Sequence, residues 1–146
     1  MARASRQPGR DHWNPPEATL RRMKPKANIL LLVSDQLMRA VMREVLEGDG
    51  YFVDATGDLG VAVDRLKMIT PDLLITRTFV ANMPGHYAAK YLRTKCPQMR
   101  VLIVGGVLDD DRLQNREALE NFQIFPKPYS ASEFLEKVQE VVDSPR

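Results

Sequence analysis

Asn28-Ile29-Leu30-Leu31-Leu32-Val33-Ser34-Asp35 is the stretch whose reading decides the fold. The apolar run Ile29 to Val33 is far shorter than the ~20 residues a bilayer span needs. It lacks the polar alternation of a half-exposed strand. It reads instead as a strand covered on both faces, as in parallel sheets flanked by helices. The polar pair Ser34-Asp35 that closes the run offers a helix cap. Beyond it Leu37, Met38, Val41, Met42, Val45 and Leu46 recur at helical spacing and give helix 36–47 a wide apolar face. Gly48 and Gly50 end that helix.

The same alternation continues toward the C-terminus. Further strands are expected at 51–55, 72–76, 101–104 and 122–125. Asp58 caps helix 59–69, where Leu59, Val63, Leu66 and Ile69 repeat. Helix 86–95 turns Ala88, Tyr91 and Leu92 inward. In helix 110–120 Asp109-Asp110-Asp111 suit the N-terminus, but its apolar face is little more than Leu113 and Leu119. Ser130 or Ser132 caps helix 132–142, with Phe134, Leu135, Val138, Val141 and Val142 in one stripe. Strands joined one after another by helices imply an α/β fold: a doubly wound, five-stranded parallel sheet with helices on both faces. Ligands of such sheets sit beyond the carboxyl ends of the strands. Here those ends are Val33-Ser34-Asp35, Ala55-Thr56, Thr76-Arg77, Val104-Gly105 and Phe125-Pro126-Lys127.

Toward the N-terminus the character changes. Residues 1–26 carry seven bases against Asp11 and Glu17, a local charge of +5 within a chain of +2. They show no apolar periodicity, and Asn14-Pro15-Pro16 and Pro25 break helices. This stretch reads as a basic, disordered extension on a domain spanning 27–144. It has no apolar core of a secretory signal and no stripe of an amphipathic transit peptide. The tail could attract nucleic acid by charge alone, although a solvated leader is the favoured reading. The single cysteine, Cys96, cannot form an internal disulfide, which suits a reducing, cytoplasmic setting. No apolar run suggests a membrane partner. His86 has no Ser, Cys or second His placed to make it catalytic.

Taken in order, Leu31-Leu32-Val33-Ser34-Asp35, Gly50-Tyr51, Pro71-Asp72-Leu73-Leu74-Ile75, Met83-Pro84-Gly85, Leu92-Arg93 and Lys127-Pro128-Tyr129 resemble the response-regulator receiver domain of two-component signalling. The resemblance covers nearly all of 27–144. It implies a flavodoxin-like sheet of order 2-1-3-4-5. It also implies a phosphorylation site: two acids after the first strand, an acceptor aspartate ending the third, a Ser or Thr ending the fourth, and a Lys-Pro after the fifth. The acids would hold Mg²⁺ during phosphoryl transfer.

Carried onto this chain, the site is degenerate. The first acidic position is Ser34 and the second is Asp35. The acceptor position falls on Arg77, the hydroxyl position on Gly105, and the lysine is kept as Lys127. A guanidinium with a pKa above ~12 is no nucleophile, and one carboxylate among two cations is a poor divalent-metal site. No metal, cofactor or catalytic role is therefore expected. Arg77 is expected to stand where the metal would sit, paired with Asp35 by hydrogen bonds. Its alternative is an arginine turned to solvent, with Asp35 a helix cap only.

The function expected is that of a phosphorylation-independent pseudo-receiver, a non-enzymatic protein–protein interaction module. The docking face expected from the resemblance joins helix 110–120, the fifth strand and helix 132–142, with Leu113, Ile124, Pro126 and Tyr129 on it. The partner would be another protein or a second copy. Two other classes stand beside it: a working phosphorelay receiver with a displaced acceptor such as Asp72 or Asp35, and a nucleic-acid binder acting through residues 1–26.

Overall fold

A computed structural model of the chain describes residues 25–105, the backbone of 123–125, and residues 130–144. The elements are β1 (Asn28–Leu32), α1 (Gln36–Gly48), β2 (Phe52–Thr56), α2 (Leu59–Arg65), β3 (Leu73–Arg77), β4 (Phe79–Val80), β5 (Met83–Pro84), α3 (Gly85–Lys95), β6 (Arg100–Val104), β7 (Gln123–Phe125) and α4 (Ala131–Asp143). The main sheet has the order β2-β1-β3-β6-β7, and every pairing in it is parallel. This is the expected doubly wound architecture of order 2-1-3-4-5, with β4 and β5 set apart as a small antiparallel hairpin.

The apolar run of β1 explains why two cores exist. Successive strand residues face opposite sides, so Ile29, Leu31 and Val33 join α1 and α4 on one face. Leu30 and Leu32 join α2 and α3 on the other. Leu31 lies opposite Ala55 on β2 and Ile75 on β3. Ile29 to Leu32 are all fully buried. Each such side chain contributes roughly 1.5–3 kcal/mol relative to exposure.

Local signals set the helix ends. Asp35 Oδ1 accepts the Met38 N–H at 2.9 Å, and Asp58 Oδ1 accepts the Val61 N–H at 3.0 Å. Of the two serines considered for the last helix, Ser130 caps it. Its side chain and that of Glu133 satisfy each other's backbone N–H in a capping box. Gly50, with φ of 99°, turns the chain from α1 into β2, a backbone that other L-residues rarely adopt.

Three expectations need correction. Leu37 and Val41, read as part of the core face of α1, are 76% and 50% exposed. The buried stripe is Met42 and Leu46, with Met38 and Val45 packed partly against the core. A helix resting on a sheet buries one stripe, and the apolar residues of α1 are spread over a wider arc than that stripe. Tyr91, read as inward, is 47% exposed for the same reason, whereas Ala88 and Leu92 are buried. Finally, α2 ends at Arg65 rather than at residue 69. Helix 110–120 of the sequence reading lies outside the described residues, as do residues 1–24.

Candidate functional site at the carboxyl ends of the strands

The carboxyl ends of β1, β3 and β6 bring together Ser34, Asp35, Arg77 and Gly105. Ser34 stands where an acid is expected by resemblance. Its Oγ accepts the backbone N–H of Ala81 at 3.0 Å. Ala81 forms the tip of the β4–β5 hairpin and holds a φ of 54°, so the serine ties that tip to the end of β1. Asp35 spends its carboxylate on the first turn of α1, an interaction worth typically ~1 kcal/mol.

The expected Arg77–Asp35 pair does not form: among the described residues no ion pair joins them, and Asp35 acts as a cap. The reason lies in the register. Leu32 lies opposite Thr76, so β1 has only Val33 and Ser34 left before Asp35 enters the helix cap. Arg77, still in strand conformation, is paired instead with Val104 of β6. Its side chain is half-buried.

Neighbouring threonines behave differently from one another. Thr76 is fully buried and donates its hydroxyl to the Leu32 carbonyl at 2.7 Å. It points away from the acceptor position and serves as a clasp between β1 and β3. Thr78 Oγ1 is buried without a hydrogen-bond partner among the described residues. It stands 2.9 Å from where a Cβ on Gly105 would be, and Gly105 has a φ of 132°. Glycine at position 105 is thus favoured both by backbone angle and by this close approach.

Arg39 was overlooked in the sequence. From the first turn of α1 its Nη1 donates to the Val33 carbonyl at 2.7 Å and lies 3.5 Å from the Ser34 carbonyl. A Cβ on Gly57 would stand 2.5 Å from the same nitrogen. The available signal was a base four residues after the cap, facing a glycine that follows β2. The corner therefore holds the guanidinium of Arg39 beside the end of β1, with Arg77 as the last residue of β3 and Asp35 committed to α1.

These residues do not fit a Mg²⁺ ion. Hard divalent cations take several oxygen ligands, with carboxylates prominent among them, and here a single carboxylate shares the site with two permanent cations. Among the described residues no three His, Cys, Asp or Glu side chains converge. Lys127, Leu113, Pro126 and Tyr129 lie outside the described residues. For Ile124 only the backbone, in β7, is described.

His86, in the first turn of α3, is buried, and its Nδ1 has no hydrogen-bond partner among the described residues. Its ring meets Tyr87 edge-on, with centroids 4.5 Å apart. Burial lowers its pKa from the ordinary 6.5, and the nearby Lys90 charge lowers it further. The fold therefore prefers neutral His86, while the unfolded chain takes up a proton near ~6.5. Its contribution to stability is complete above that pH and is lost as pH falls below it. Denaturant midpoints should drop between about pH 7 and 5, with a smaller drop in His86→Leu. Equal drops in both proteins would show that other groups control acid stability.

Among the described residues no helix is long and apolar enough to cross a membrane. The family described as the response regulator receiver domain matches residues 29–139. Sporulation initiation phosphotransferase F of Bacillus subtilis (strain 168) is 25% identical over 111 residues, covering 75% of this chain and 90% of that protein. Sensor kinase CckA of Brucella abortus (strain 2308) is 23% identical over 80% of this chain, which spans 13% of that kinase. The chain likewise spans 25% of the transcriptional regulator NtrC of Proteus hauseri. Among solved structures, chemotaxis protein CheY4 of Vibrio cholerae superposes with a TM-score of 0.69 at 20% identity, over 79% of this chain and 98% of that one. The beryllofluoride-activated NtrC4 receiver domain dimer gives 0.68 at 16% identity, over 80% and 96%. At such identities the structural likeness speaks to the fold alone.

Proposed function

The chain belongs to the response regulator receiver domain family, and from that premise we propose that it is a pseudo-receiver that signals by docking, without being phosphorylated. One observation carries this reading: the last residue of β3, where the family's acceptor is expected, is Arg77. A guanidinium cannot attack phosphorus. The flanking positions support the reading, since Ser34 and Gly105 replace an acid and a hydroxyl.

The competing reading, a displaced acceptor, meets two obstacles. The Asp72 carboxylate accepts the Asn28 N–H at 2.8 Å at the amino end of the sheet. Five residues of strand, about 16 Å, separate it from Arg77. Asp35 lies at the right end but is held as a cap. Incubation with a small phosphoryl donor and Mg²⁺, followed by intact mass, should show no added phosphoryl group. A gain of one phosphoryl group that disappears in Asp35→Asn or Asp72→Asn would overturn the proposal.

With the chemistry gone, the action lies in contacts. The face of helix 110–120, β7 and α4 remains the proposed docking face, for a protein partner or a second copy. A receiver dimer is among the structures of the same fold, which supports such pairing here. Nucleic-acid binding through the basic tail is the weaker alternative. Its affinity would fall steeply with salt and vanish when residues 1–24 are removed.

A further inference from the structure

The outward face of α1 carries an apolar stripe with no cover among the described residues. Leu37 and Val41 are 76% and 50% exposed, one helical turn apart on the same face. A lone exposed leucine means little. A paired apolar stripe on one helix face calls for an occupant, independently of whether the chain is phosphorylated. We infer that the occupant is the chain's own N-terminal segment, with residues 13–24 laid along α1 so that Trp13 and Leu20 cover Leu37 and Val41.

Attachment is the first argument. The Lys26 N–H donates to the Gly50 carbonyl at 3.0 Å, and Lys26 Nζ pairs with Asp49 at 3.1 Å. The described chain therefore begins beside the C-terminal end of α1, and the segment need not be recruited from a distance.

Reach is the second. Leu37 lies eleven residues before Gly48, about 17 Å along the helix. Residues 13–24 can span up to about 40 Å if extended. That length is enough to run the whole stripe.

Charge is the third. The last turn of α1 contains no basic residue. Glu44, Glu47 and Asp49 gather toward this end, where the helix dipole is also negative. Arg43 answers Glu47 at 3.2 Å and Lys26 answers Asp49, so the end is only partly neutralised. The part of the segment nearest the junction carries Arg21, Arg22 and Lys24. Those bases fall at the acidic end of α1, while Leu20 and Trp13 lie farther along, toward Val41 and Leu37.

Trp13 is the only tryptophan in the chain, so its fluorescence reports on the segment alone. The full chain is compared with the full chain carrying Leu37→Gln and Val41→Gln, both solvent-facing changes. Matching far-UV circular dichroism and denaturant midpoints establish that the variant is folded. The emission of Trp13 is expected to be blue-shifted in the parent and to move to the red in the variant. Quenching by acrylamide should rise at least twofold if half or more of the molecules are docked. High salt should shift the parent part of the way. Emission already that of free tryptophan in the parent would overturn the inference, as would a blue shift indifferent to the two substitutions. A blue shift that grows with protein concentration alongside a dimer mass in light scattering would give the stripe to a second copy and would also overturn it.

Discussion

Gly85→Ala is expected to destabilise the domain by more than about 3 kcal/mol, a large share of the roughly 5–15 kcal/mol typical of a domain. A Cβ at this position would stand 1.9 Å from the Arg77 carbonyl oxygen and 3.1 Å from its carbonyl carbon. The obstacle is backbone at the end of β3, so no side-chain rotation relieves it. Moving it means shifting β3 or withdrawing α3, which Gly85 opens. The same residue closes the small hairpin by donating its N–H to Thr78 at 2.7 Å. That displacement would reach both Arg77 and the Ser34–Ala81 bond. A denaturant titration measures the cost. A loss below about 1 kcal/mol would show that the loop yields easily and that Gly85 does not fix the geometry of the site.

Leu31→Ala should cost roughly 2–5 kcal/mol. Leu31 is fully buried and belongs to the core that joins the sheet to α1 and α4, with Leu46, Ile75 and Val138 in the same cluster. The loss combines removal of apolar surface with the cavity left behind, because β1 is held by parallel partners on both sides and cannot collapse inward. Met68→Ala is the matched control: Met68 is 79% exposed, and its truncation should stay within about 0.5 kcal/mol. Similar costs for the two variants would contradict the two-sided burial of β1.

The chemical consequence of the site was legible in order and type of residue. Arg77 after Leu73-Leu74-Ile75-Thr76 needed only strand counting to be placed at a carboxyl end, and a guanidinium there rules out nucleophilic attack in any geometry. What Arg77 contacts was not legible. The pair with Asp35 was expected from adjacent strands and opposite charge. Sequence does not reveal that β1 ends earlier relative to β3, nor that Asp35 satisfies an N–H of α1 first. A cap acts within three residues of chain, whereas the ion pair needed two strands to end level, and the local interaction won.

Arg39 shows the same limit from the other side. A basic residue in a first helical turn is unremarkable until the fold brings Gly57 against it and leaves room for the guanidinium over the Val33 carbonyl. The apolar arc of α1 was equally ambiguous. Its period announced a helix, yet which part of the arc meets the sheet depends on how the helix is rotated about its axis.

Short-range pattern in the sequence set the alternation of strand and helix, the burial of β1 on both faces, a cap within Ser34-Asp35, the cap at Asp58, and the placing of Arg77 at the end of β3. These follow from short-range periodicity, local hydrogen bonding and the chemistry of single side chains, none of which needs a distant partner. Only the tertiary structure decided that Leu37, Val41 and Tyr91 face outward, that Ser34 holds the tip of a hairpin at Ala81, that Gly85 is required and Gly105 favoured by close approach, and that Asp35 and Arg77 stay apart. Each of these depends on register and helix rotation, which are settled by packing between segments tens of residues apart.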